Sequence, residues 1–157
     1  MEGDYAHIIV HEAVEALGNL NDANTLKLLE KYRGSGKPIA DIVEETCEVS
    51  LALIKWNIDT DKGRTEGLDL TKLKFRTNDP APCFNYKQDK TYADIPFLTK
   101  MLLDDKNYCM FDRYRALFTL REINTKESCE AICQSLLKEH FATCSPLLKH
   151  EVAFVLA

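Results

Sequence analysis

One seven-residue pattern returns four times along the chain, and that recurrence limits the fold more than any other feature. His11-Glu12-Ala13-Val14-Glu15-Ala16-Leu17 can be laid over Glu44-Glu45-Thr46-Cys47-Glu48-Val49-Ser50, over Tyr114-Arg115-Ala116-Leu117-Phe118-Thr119-Leu120, and over His150-Glu151-Val152-Ala153-Phe154-Val155-Leu156. The starting positions 11, 44, 114 and 150 give steps of 33, 70 and 36 residues. Two of these steps lie in the range of helical repeats, and the long one holds a segment without periodicity. With one matched helix per step and a second helix between, the chain reads as a stack of helix pairs.

The local signals agree. Residues 8–20 place apolar side chains at 9, 10, 13, 16, 17 and 20, the helical period. Asn19-Leu20-Asn21-Asp22 makes a polar turn, and Asp22 or Asn24 can cap the helix that follows over 25–32. Gly34-Ser35-Gly36 ends it, and Pro38 opens a third helix through Ile42, Val43, Cys47, Leu51 and Ile54 to about Trp56. From 57 to 91 the pattern fails, with loop chemistry at Asp59-Thr60-Asp61-Lys62-Gly63 and Asn78-Asp79-Pro80-Ala81-Pro82. Helices resume near 94–103, 111–123, 126–139 and 146–157, and no strand is expected. The fold class is therefore all-α, a HEAT-like helical-repeat (α-solenoid) array interrupted by a long loop. Val152, Val155 and Leu156 form an apolar face with no following helix, so the natural protein is expected to continue, or another chain to cover that face.

Composition narrows the function. At 157 residues, with 45% hydrophobic and 29% charged, the chain is one ordinary globular domain or a stretch of a repeat array. No apolar run approaches the roughly 18 residues that cross a bilayer. Met1-Glu2-Gly3-Asp4 is no secretory signal, so no membrane role and a cytoplasmic location are expected. A net charge of −5 without a basic stripe makes nucleic acid an unexpected partner, whereas a mildly acidic surface suits a cationic substrate. The six cysteines, at 47, 83, 109, 129, 133 and 144, contain no C-x-x-C pair and read as reduced thiols. Cys47, Cys129 and Cys133 fall in helical patterns and are expected to be buried.

The candidate chemistry lies in two dipeptides, His11-Glu12 and His150-Glu151. Neither is H-E-x-x-H, because Glu15 and Phe154 stand four places after the histidines, and the zinc-protease reading fails. Imidazole and carboxylate donors without thiolate favour non-haem iron or manganese. Each dipeptide offers two ligands at most, so other helices must contribute. A lone His-Glu pair is common, and it is the shared repeat phase that lifts these two above chance. At the equivalent positions, Glu44 and Glu45 read as a solvated helix face and Arg115 as a surface ion pair. His7 and His140 read as ordinary polar residues. Asp104-Asp105 and Asp59/Asp61 are too sparse for a calcium loop.

These segments resemble one family. Val10-His11-Glu12-Ala13-Val14-Glu15-Ala16-Leu17-Gly18-Asn19-Leu20 is similar to the RHEAxEALGAIGD motif of the deoxyhypusine hydroxylases, and Leu148-Lys149-His150-Glu151-Val152-Ala153-Phe154-Val155-Leu156 to their LxKHExAYVLG motif. Val43-Glu44-Glu45-Thr46-Cys47-Glu48-Val49, Asp79-Pro80-Ala81-Pro82 and Arg113-Tyr114-Arg115-Ala116-Leu117-Phe118-Thr119-Leu120-Arg121 resemble further segments in the same order. The departures are Val10 in place of a basic residue and Ala157 in place of a glycine.

The resemblance implies a central portion of such an enzyme, carrying two of the four family motifs. Residues 1–57 would be the end of the first helical-repeat half, 58–92 the inter-half linker loop, and 93–157 the start of the second half. It further implies two ferrous iron ions, dioxygen as co-substrate, and hydroxylation of deoxyhypusine in the precursor of translation initiation factor 5A. His11 and Glu12 would ligate one iron and His150 the other. Glu151 would be a metal ligand, or serve the substrate as a catalytic carboxylate. Two alternatives stand beside this: a metal-free repeat scaffold that binds another protein, and a homodimer that rebuilds a four-motif site from two copies.

Overall fold

Capping chemistry sets the helix boundaries in the structure, a computed structural model that describes residues 2–35, 40–58, 67–137 and 145–157. Helix α1 (Glu2–Leu20) ends at Asn21, whose left-handed φ of 55° turns the chain. Asp22 then accepts the Asn24 N–H at 3.2 Å and opens α2 (Ala23–Arg33), as the sequence predicts. Helix α3 (Asp41–Ile58) carries Asp41 and Glu44 in its first turn, where carboxylates suit the helix dipole. Asp94 caps α4 (Ile95–Leu103), accepting the Phe97 N–H at 3.0 Å. Helix α5 (Met110–Ile123) ends at left-handed Asn124, and a reciprocal Thr125–Ser128 capping box opens α6 (Lys126–Gln134). Ser145 caps α7 (Pro146–Leu156), accepting the Leu148 N–H at 3.0 Å.

Among the described residues these seven α-helices and two short 3₁₀ turns, Leu70–Lys72 and Lys90–Ala93, are the regular structure, and no strand occurs. The features at Pro38, Asp59, Asp61, His140 and Cys144, and the end of the helix expected to reach 139, lie outside those residues. No described helix is long and apolar enough to cross a membrane.

The four pattern-bearing helices form a row, α1 on α3, α3 on α5 and α5 on α7, and α2, α4 and α6 pack beside them. Helices α1 and α3 run parallel and very close. Ser50 donates to the Val14 carbonyl at 3.2 Å, and a Cβ on Gly18 would stand 2.7 Å from Ser50 Cβ. Helix α3 serves two cores. Val43, Cys47, Leu51 and Ile54 pack with Val14 and Leu29, while Val49 and Leu53 join the larger cluster of Leu98, Leu102, Leu117, Leu148 and Val152.

Helix α5 is buried on nearly every side, charged residues included, because α4 and the segment before it supply their partners, Arg113 donating to the Leu102 carbonyl at 2.9 Å. Arg115 donates to the Pro82 carbonyl at 3.1 Å and lies 4.0 Å from the Phe84 ring centroid. Thr119 accepts the Phe84 N–H at 2.8 Å, and Glu122 accepts the N–H groups of Lys74 and Phe75 at 2.9 Å each. Arg121 grips Asp79 through two hydrogen bonds, at 3.0 and 2.5 Å, with its guanidinium 4.9 Å from the ring centroids of both Phe75 and Phe118. Ala81, Cys83 and Phe84 of the same segment are core residues.

Several expectations need correction. The α1 stripe is displaced: Ile9 and Leu20 are exposed, and the buried face is built on His11, Val14 and Gly18. Hydropathy misses this face because a histidine and a glycine occupy two of its positions. Val152 is fully buried, with Val155 and Leu156 packed beside it, because α7 leans on α3 as well as α5. Arg115 is a buried residue, not a surface ion pair.

Glu44 does sit on a solvated face, 3.6 Å from Arg33. Glu45 does not: it accepts hydrogen bonds from the Ser145 side chain and the Leu147 backbone at the start of α7, and burial raises its pKa. Cys129 and Cys133 are exposed, on the outer face of α6; Cys47 is buried, and all five described cysteines are free.

Candidate metal centre

The turn of α1 that meets α3 aims His11 inward. Its imidazole is 1% exposed, with Nδ1 2.7 Å from Thr46 Oγ1. Its Nε2 is buried and has no hydrogen-bond partner. A buried polar atom without a partner is costly and rare, and here it faces other donors. Glu12, the next residue, places Oε1 3.7 Å from His11 Nε2 and 3.8 Å from His150 Nε2. His150 arrives on α7, and the two imidazoles meet edge to face with centroids 5.2 Å apart. The three ligand atoms all lie within 4.8 Å of one another. Donors that share a cation at ~2.1 Å stand roughly 3 Å apart, so small rotamer adjustments would close this set on one ion.

The electrostatics suit a cation. Burial lowers the His11 pKa, with Glu12 opposing and His150 adding, so the imidazole is neutral, the form that ligates. Two nitrogens and one carboxylate leave coordination positions open, the donor pattern of non-haem ferrous oxygenases.

Beside the cluster is a cleft of about 230 Å³ lined by Glu12, Glu15, residues 77–80, His150, Glu151 and Phe154. Glu151 is 5% exposed, and it is not one of the three converging donors. Burial, then Glu15 and Asp79, push its carboxyl up to about 8, against the pull of Arg121. Burial, then Glu12 and Asp79, push Glu15 up to about 7.

Of the four residues expected to bind metal, the fold thus brings His11, Glu12 and His150 together and sets Glu151 in the adjoining wall. His7 is exposed and stands outside the cluster. Three participants were not singled out in the sequence. Glu15 was legible, three residues after Glu12 and so on the same helix face. Thr46 and Asp79 had no signal, since only tertiary packing brings them here.

A stacked-helix array with a histidine–carboxylate cluster between its first and last described helices defines a helical-repeat protein with a candidate metal centre. The comparisons agree. Residues 112–138 match the PBS lyase HEAT-like repeat family. The chain is 38% identical over 148 residues to the deoxyhypusine hydroxylase of Kluyveromyces lactis, covering 94% of this chain and 42% of that one. It is 36% identical to that of Candida albicans, covering 99% and 45%. The human deoxyhypusine hydroxylase structure in complex with glycerol superposes with a TM-score of 0.68 at 31% identity, over 92% of this chain and 43% of that one. By sequence and fold the chain is a homologue of the deoxyhypusine hydroxylases, and it spans less than half the length of these relatives.

Proposed function

We propose that this chain contributes part of the centre of a cytoplasmic deoxyhypusine hydroxylase, in which His11, Glu12 and His150 hold ferrous iron. The observation that carries the reading is the convergence of their three ligand atoms, with His11 Nε2 buried and unpartnered. Iron bound there would supply the activation of dioxygen needed to hydroxylate a carbon. The resemblance assigns two iron ions to the complete centre and puts His150 on a different one from His11 and Glu12; the convergence of all three donors favours one shared position instead. The substrate by the same reading is the deoxyhypusine side chain in the precursor of translation initiation factor 5A, a long cationic amine.

The chain's own residues would do three things. His11 offers a neutral, desolvated nitrogen. Glu12 adds the anionic donor between the two imidazoles, and offsets the charge of a divalent cation. Glu151 and Glu15 line the cleft beside the cluster, where an ammonium entering would lower their pKa values and bind as an ion pair. Glu151 is therefore proposed to orient the substrate from the cleft wall, with ligation of a second metal its other role.

The test is iron content by mass spectrometry after anaerobic loading with ferrous iron. Wild type is expected to retain stoichiometric iron and a His11→Ala, His150→Ala double variant to lose it. Equal iron in both, or none in either, removes the metal-centre reading.

A further inference from the structure

We infer that Thr46 is a positioning residue for the cluster: it fixes the tautomer of His11, so that Nε2 presents a lone pair and not a proton to the site. The inference rests on the reading of His11 as a metal ligand, and it goes beyond it to a residue on another helix.

The number of hydrogens available fixes the direction of each bond. Thr46 Oγ1 lies 2.6 Å from the Ile42 carbonyl oxygen and 2.7 Å from His11 Nδ1. A carbonyl oxygen only accepts, so the single hydroxyl hydrogen of Thr46 points to Ile42. The contact with His11 must then be donated by the imidazole, which places a proton on Nδ1. Thr46 is 3% exposed and His11 1%, so no solvent is at hand to take over either role. In a neutral imidazole with Nδ1 protonated, Nε2 is the acceptor, and Nε2 is the atom that faces Glu12 and His150 without a hydrogen bond.

The opposite tautomer would set the Nδ1 lone pair against the lone pairs of Thr46. It would also aim an N–H at the place where a cation would sit. The threonine's bond to Ile42, four residues back on its own helix, holds the hydroxyl in this orientation whether or not the site is filled. The close α1–α3 contact at Gly18 and Ser50 keeps the two helices within reach. A ligating histidine whose other nitrogen is held by a hydrogen bond is oriented and made more basic, and removing such a partner typically costs ~10–100-fold in metal affinity.

The experiment compares wild type, Thr46→Val and Thr46→Ser, labelled with ¹⁵N histidine. Long-range proton–nitrogen correlation of the metal-free chain reads the His11 tautomer directly, and titration with ferrous iron under anaerobic conditions reads affinity. Wild type and Thr46→Ser should show Nδ1 protonated. Thr46→Val, nearly isosteric, should show a shift toward the Nε2-protonated form and bind iron ~10–100-fold more weakly, with helix content unchanged. A wild-type His11 protonated on Nε2, or an unshifted tautomer in Thr46→Val, overturns the inference. So does Thr46→Ser behaving like Thr46→Val. If the tautomers behave as expected but no chain binds iron, the tautomer assignment stands and the metal-centre reading falls.

Discussion

The carboxyl of Glu151 keeps its proton at neutral pH because burial and the neighbouring acids Glu15, Asp79 and Glu12 outweigh the attraction of Arg121. Its ordinary value is 4.5 and its folded value about 8, so between those limits the folded chain binds more protons than the unfolded one. Folding stability of the metal-free chain therefore falls as pH rises from about 4.5 to about 8, and Glu15 adds to the fall in the lower part of that window. Melting temperatures measured across this range should decline, and Glu151→Gln, which cannot ionise, should flatten the decline. A flat wild-type profile would show that the wall carboxylates are solvated. Asp79, by contrast, is bound to Arg121 through both of its oxygens. Removing one partner of so buried a pair typically costs ~3–5 kcal/mol.

Among the elements, α7 decides whether a site exists at all, since it alone brings His150 to α1. Helix α3 holds its start through Glu45, at the repeat position that corresponds to Glu12 and Glu151 in their own helices. A carboxylate at a helix N-terminus meets unpaired N–H groups and the positive end of the dipole. Glu45→Ala should lower stability by ~1–3 kcal/mol, the usual cost of leaving such groups unsatisfied. Hydrogen exchange should locate the effect, with faster exchange in 146–156 and little change in α2. Uniform acceleration across the chain would instead mean that Glu45 supports the fold as a whole. Helix α5 makes a complementary point. Its buried Arg115, Arg121 and Glu122 are tolerated only because the segment from Lys74 to Phe84 brings carbonyls, N–H groups and one carboxylate to meet them.

For the whole molecule, the cluster joins the first helix to the last described one, so a bound cation would cross-link the ends of the array. Ligand binding to the folded state alone stabilises it by roughly 2.7 kcal/mol at about 100 times Kd. Ferrous iron or manganese at such an excess should raise the melting temperature, and His11→Ala should abolish the rise while leaving the metal-free fold intact. An equal rise in the variant would indicate binding elsewhere. In a regular solenoid each helix pair touches only the pairs next to it. Contact of α7 with α3 as well as α5 departs from that rule; it buries Val152 and leaves Val155 and Leu156 half-buried.

The sequence by itself determined the helices, their pairing rhythm and the two dipeptides, because each is written in short-range code. Apolar spacing marks a helix face, Asp22 marks a helix start, and the shared phase of His11 and His150 needs only counting. The displaced face of α1 escaped that code, since His11 and Gly18 are buried for the sake of neighbours on α3 and not for their hydropathy. Only the tertiary structure decided that Glu12 stands between two imidazoles, that Glu151 turns to the cleft wall, and that Thr46 and Asp79 reach the site from distant segments. The reason is physical: pKa values, tautomers and ligand convergence depend on desolvation and on distances of a few ångströms between segments. Those distances exist only once α7 has closed onto α3 and the segment before α4 has been fastened to α5.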